Sequence, residues 1–106
     1  MNFYNLRRLF MLNSIFDLEY MVKNGLVVFD LEKFVLFPEL NFSTRLNALK
    51  YIVDMKCLGN NVIKIKFQYR DELVHSSAFS SREEALEYME ALTLLVNLVC
   101  AIPKKS

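Results

Sequence analysis

Apolar and polar positions change period several times along the chain, and each change marks an expected element. Phe3, Leu6 and Phe10 recur at helical spacing with Arg7 and Arg8 off the stripe, which predicts a short amphipathic N-terminal helix. From Phe16 the pattern alternates. Phe16, Leu18, Tyr20 and Val22 interleave with Asp17, Glu19, Met21 and Lys23, and Asn24-Gly25 follows. An Asn-Gly pair between alternating runs is a strong hairpin signal, because a type I′ turn needs positive φ at both central residues. The expectation is therefore a hairpin whose return strand is residues 26–30. The competing reading makes residues 3–23 one helix with Gly25 as its left-handed cap.

FVLF (34–37) reads as another short strand, ended by Pro38. Residues 43–58 fit two templates. Ser43 can cap a helix carrying Leu46, Leu49, Val53 and Cys57 that stops at Gly59. Alternatively, Tyr51, Val53, Met55 and Cys57 alternate as a strand turning at Gly59-Asn60-Asn61. In VIKIKFQYR (62–70), Ile63, Ile65, Phe67 and Tyr69 alternate with Lys64, Lys66, Gln68 and Arg70, so a strand here has an apolar face and a cationic one. Asp71-Glu72 is the expected turn and residues 73–79 the returning strand. Ser81 then stands three residues before Glu84, the capping-box spacing, with Glu83, Glu84 and Glu87 in the first turns where the helix dipole favours anions. A long helix over about residues 82–100 follows. This close, two strands and F-S-S before a capped helix, resembles the end of a pleckstrin-homology-like domain; no specific motif accompanies it and it implies no function.

Together these elements predict an α+β fold: an antiparallel sheet of about five or six strands, a typical sheet size, with a long C-terminal helix packed on it and a short N-terminal helix at its edge. The 106 residues suit a single domain spanning 1–106. Apolar residues make up 54% of the chain, which excludes a disordered or linker-like polymer. The N-terminal apolar run is interrupted by Asn13, Asp17 and Glu19, too soon for a signal peptide. ALTLLVNLVCAI (91–102) suggests a tail anchor, yet it falls short of the roughly 20 residues a bilayer requires. The expected location is cytoplasmic, with no membrane partner. There Cys57 and Cys100, lacking CxxC spacing, read as reduced, buried small hydrophobes.

Little in the chain suggests chemistry. His75 lies between strand neighbours whose side chains alternate faces, so Ser76 does not converge on it. With only Gly25 and Gly59, no glycine-rich phosphate loop exists. Glu83, Glu87 and Glu90 share a helical face without a basic partner and read as solvated surface. The expectation is a non-enzyme with no cofactor, no metal and no evident small-molecule substrate.

Two surfaces stand above this background. Residues 43–70 carry six basic side chains against Asp54, whereas residues 71–90 carry six acidic ones against Arg82, so a net charge of +1 conceals a dipolar chain. Lys64, Lys66 and Arg70 would then present a phosphate-binding face for single-stranded nucleic acid. That is the second reading, because surface charge runs more often serve solvation. In it, Phe67 and Tyr69 point into the core and Phe79 is the candidate stacking aromatic. The other surface belongs to the C-terminal helix. Ala85, Met89, Leu92, Val96 and Val99 form its expected core stripe, and Leu94 and Leu98 emerge on nearly the opposite side. Leaving both uncovered forgoes about 1.5–3 kcal/mol each. The leading expectation is a protein–protein interaction module that self-associates through Leu94 and Leu98, unless the N-terminal helix covers them.

Overall fold

The computed structural model describes residues 12–59, 62–74 and 79–103. In chain order it contains α1 (Ile15–Lys23), a 3₁₀ turn (Leu31–Lys33), α2 (Phe42–Ala48), a second 3₁₀ turn (Leu49–Tyr51), β1 (Ile52–Leu58), β2 (Val62–Phe67), β3 (Asp71–Val74) and α3 (Arg82–Ala101). The class is the expected α+β, with an antiparallel sheet, an N-terminal helix and a C-terminal helix packed against the sheet. The sheet is smaller than expected: three strands in the order β1-β2-β3 among the described residues.

The missing strands are explained by local chemistry. Residues 15–23, expected as one arm of a hairpin, are helical. Ser14 caps α1 by accepting the Asp17 N–H, while the Asp17 carboxylate accepts the Ser14 N–H at 3.1 Å and the Asn13 N–H at 2.9 Å. Leu18, Met21 and Val22 then fall on one buried face, and the alternation fails because Phe16 and Tyr20 point outward. At the other end Gly25 takes φ +71°. Its N–H reaches Val22 O and the Leu26 N–H reaches Met21 O, a Schellman closure that satisfies two terminal carbonyls. The left-handed glycine of the competing reading is thus present, while residues 3–11 of that helix, like the expected helix at Phe3–Phe10, lie outside the described residues.

FVLF is not a strand of the sheet. Phe34 and Leu36 are buried and Val35 is exposed, as alternation requires, but no neighbouring strand takes up the backbone. Arg45 does so instead: Nε donates to Leu36 O at 2.7 Å, Nη2 donates to Phe34 O at 2.6 Å, and the guanidinium lies 4.4 Å from the Phe34 ring centroid. Tyr88 adds a third tether, its hydroxyl donating to Lys33 O at 2.8 Å.

Residues 43–58 use both templates in turn. The helical half is α2, capped by Asn41 rather than Ser43, through the Thr44 N–H at 2.9 Å. The β-branched half is β1. Strand β2 buries Ile63, Ile65 and Phe67 as the alternation requires. The β2–β3 turn comes earlier than expected, at Gln68-Tyr69, closed by the Phe67 N–H on Arg70 O at 2.8 Å. Asp71 and Glu72 therefore begin β3 instead of forming the turn.

Helix α3 starts at the expected cap. Ser81 accepts the Glu84 N–H, while the Glu84 carboxylate turns to Ser80, taking its N–H at 3.0 Å and its hydroxyl at 2.7 Å. These bonds hold Glu84 below the usual carboxylate pKa. The buried stripe is Ala85, Tyr88, Leu92, Leu95 and Val99. Met89 and Val96, expected at its centre, are half-buried at its margin. The difference comes from Tyr88, which buries its ring against Phe29 and Phe79 and finds a hydrogen-bond partner in Lys33 O. The free cysteines depart from expectation in their burial: Cys57 is half-buried and Cys100 exposed.

Candidate functional site

Strand register decides what the cationic face of β2 meets. Lys64 lies opposite Lys56 in β1 and Leu73 in β3, and Lys66 lies opposite Asp54 and Asp71. The Lys64 ammonium stands 3.4 Å from the Asp71 carboxylate. Lys66 is exposed between two acidic positions. Arg70 is drawn aside, its guanidinium 2.9 Å from Glu72 and 5.0 Å from the Phe37 ring centroid. The basic excess of residues 43–70 is therefore partly neutralised where the strands meet.

The aromatic partners of that face are also rearranged. Phe79, the expected stacking residue, is buried and packs 5.1 Å from Tyr88, so it is unavailable to a base. Tyr69, expected in the core, is 90% exposed at the hairpin tip because the early turn removes it from the alternation. His75 lies outside the described residues.

The two leucines singled out on the C-terminal helix separate. Leu94 is 46% exposed, whereas Leu98 is half-buried and packs against the core cluster. Leu86 is the other exposed leucine on α3, two turns from Leu94 with exposed Glu90 between them. This is scattered apolar surface rather than a continuous patch.

The sheet itself offers more. One face packs beneath α3; the other exposes Asp54, Lys56, Leu58 and Lys66. Its two edges differ in character. The β3 edge is short and begins with two carboxylates, which discourages pairing. The β1 edge is seven residues long and no described residue pairs with it. Hydrogen-bond direction along β2 shows which β1 groups are free. The Phe67 N–H points to β3 and the Gln68 N–H points to Tyr51 O, so even-numbered residues of β2 face β1. Asp54, Lys56 and Leu58, opposite Lys66, Lys64 and Val62, thus bond to β2, and the backbone groups of Met55 and Cys57 point away from the sheet. A bulge between Ile52 and Asp54 ends the regular edge, and Val53 beside it is 61% exposed. The strand template of the sequence placed Met55 and Cys57 on the inner face correctly, the bulge turned Val53 out of it, and only the ladder direction could identify the free groups.

A cleft of about 510 Å³ lies beside this region, between the second 3₁₀ turn and the end of α3, and includes Lys50, Tyr51, Gln68 and Cys100. Among the described residues no buried polar side-chain atom lacks a partner, no three His, Cys, Asp or Glu side chains gather as metal ligands, and no helix is long and apolar enough to cross a membrane. No protein-family model, curated protein or solved structure matches this chain.

Proposed function

We propose that this chain is a non-enzymatic protein-interaction domain that self-associates. The observation that carries the reading is the seven-residue β1 edge, with which no described residue pairs and along which the backbone groups of Met55 and Cys57 point outward beside exposed Val53 and Leu58. Such an edge is a template for another strand, and proteins that do not use theirs usually shorten or cover it. Leu94 remains a secondary apolar contact, and Leu98 contributes mainly within the chain. The test is light scattering of the purified chain across a wide concentration range. A concentration-dependent dimer supports the reading, and a strict monomer at millimolar concentration overturns it. Leu94→Glu should weaken the dimer only slightly.

A second reading, binding of single-stranded nucleic acid by Lys64, Lys66 and Arg70, retains one favourable observation: Tyr69 presents an exposed ring beside Arg70. The partial neutralisation by Asp71 and Glu72 limits the salt-dependent gain to about one or two phosphates, so binding would be weak. Titrating labelled oligo-dT at low salt checks it, with Tyr69→Ala expected to abolish whatever binding the wild type shows.

A further inference from the structure

The charge order along β1 is self-complementary in one register. The strand reads Ile52-Val53-Asp54-Met55-Lys56-Cys57-Leu58. Because Met55 and Cys57 carry the free backbone groups, an antiparallel second copy must place odd-numbered residues opposite odd-numbered ones. With Met55 facing Met55 of the second copy, Asp54 stands opposite Lys56 and Lys56 opposite Asp54, two reciprocal ion pairs on the open face. Sliding by one step of this series breaks the match. If Met55 faces Cys57, Lys56 meets Lys56. If Met55 faces Val53, Asp54 meets Asp54. Like charges directly opposite one another destabilise a strand pair, so the neighbouring registers are disfavoured by the residues that favour this one.

The geometry points to a two-fold symmetric homodimer in which β1 pairs antiparallel with β1 of a second copy about Met55, joining two three-stranded sheets into one of six strands. This inference rests on the self-association reading and gives it an axis and a register. The contact is isologous, as a two-fold axis requires, and closes after one partner. The regular seam runs from Asp54 to Lys56 about Met55, since the bulge between Ile52 and Asp54 breaks the register beyond it, and exposed Val53 and Leu58 flank it. Helix α3 contributes from the inner face. Arg82 donates to Gly59 O at 2.7 Å at the end of β1, and Leu86, one turn along α3 from Arg82, stands 41% exposed. The short seam makes a dimer of modest affinity.

The experiment is charge reversal read by sedimentation equilibrium on the full chain, with circular dichroism to verify the fold. Asp54→Lys alone places Lys opposite Lys at both pairs, and Lys56→Asp alone places Asp opposite Asp. Each should weaken homodimerisation on the order of tenfold or more. Lys56→Asp is the cleaner of the two, since it sets an acid opposite Lys64 within the chain, whereas Asp54 faces Lys66. An equimolar mixture of the two single variants should associate as a heterodimer at near wild-type strength, because every pair across the seam is again of opposite sign. The double variant should likewise recover homodimerisation. Failure of the mixture to recover overturns the register. Dimerisation unaffected by either reversal also overturns it while leaving self-association standing, and a monomeric wild type removes both.

Discussion

The sheet and the segment from Leu26 to Asn41 both feed side chains into the core, yet they satisfy their backbones differently. Ile63, Ile65 and Phe67 are delivered by a strand bonded on both sides. Val27, Phe34 and Leu36 are delivered by a chain outside any ladder. There the carbonyls of Lys33, Phe34 and Leu36 are taken by two side chains, Tyr88 from α3 and Arg45 from α2. A ladder spreads its bonds over many backbone groups, so no single side chain is needed to hold it. A tethered segment depends on a few long-reaching groups, each of which can be removed by one substitution.

The largest expected effect lies on the regular side. Leu92→Ala or Ile65→Ala truncates a fully buried side chain where helix and sheet meet. Each should lower unfolding free energy by about 2–5 kcal/mol, measured by urea denaturation, with global loss of amide protection. Arg45→Ala should cost about 1.5–3 kcal/mol, since it removes charge-assisted bonds to two carbonyls. Its distinguishing signature is local: hydrogen exchange should accelerate first in residues 33–37. Arg45→Lys should rescue little, because an ammonium lacks the planar fork that reaches both carbonyls and lies on the Phe34 ring. If Arg45→Ala instead unfolds the sheet in step with 33–37, the two regions are one cooperative unit and the contrast fails.

Tyr88→Phe sharpens the comparison further. It keeps the ring and removes the bond to Lys33 O, costing about 0.5–1.5 kcal/mol at neutral pH. Burial pushes the Tyr88 phenol well above its ordinary value, with Arg45 opposing and Asp30 adding to the shift. The folded state thus prefers the neutral phenol. Its contribution is intact below the unfolded pKa of about 10 and declines as pH rises beyond it toward the folded pKa. Denaturation midpoints taken between neutral and strongly alkaline pH should therefore fall less steeply for Tyr88→Phe than for the wild type.

The smallest effects are at the ends of α1. Ser14→Ala should cost about 1 kcal/mol by leaving the Asp17 N–H without its cap. Gly25→Ala should cost a similar ~1 kcal/mol, because nothing crowds the added methyl and only the positive φ penalises it. Thermal melts of both variants check this. No effect at Gly25 would indicate that the turn relaxes without disturbing Val27 beyond it.

The elements read correctly from sequence share a feature. The apolar face of β2 and the start of α3 are set by neighbours within a few residues: alternation at Ile63, Ile65 and Phe67, and a serine cap ahead of three glutamates. Helix α1 carried a comparable signal, Ser14 three residues before Asp17, but alternation at Phe16–Val22 and the Asn24-Gly25 pair obscured it. Gly25 serves equally well in a hairpin turn and in a helix end, since both need positive φ. FVLF was read as a short strand because it is a wholly apolar run before Pro38; that its backbone would be bonded by Arg45, nine residues on, and not by a ladder was not legible. The candidate surfaces divide in the same manner. Periodicity assigned Lys64 and Lys66 to an outward face, whereas their acidic neighbours depended on register. Leu98 was expected beside Leu94 on an uncovered face, and packing against the core separated them.

The sequence by itself determined the periodicity of β2, the cap of α3 and the α+β class, because these depend on steric and hydrogen-bonding preferences acting over a few residues. Tertiary structure decided which strands found partners, which carbonyls were left to side chains, and which sheet edge no described residue pairs with. Those outcomes turn on bonds between distant residues, such as Tyr88 to Lys33 and Gln68 to Tyr51, whose formation depends on the placement of every element between them. The self-complementary charge order of β1 belongs to both levels: its residues stand in the sequence, and its meaning follows only from the direction in which Met55 and Cys57 present their backbone.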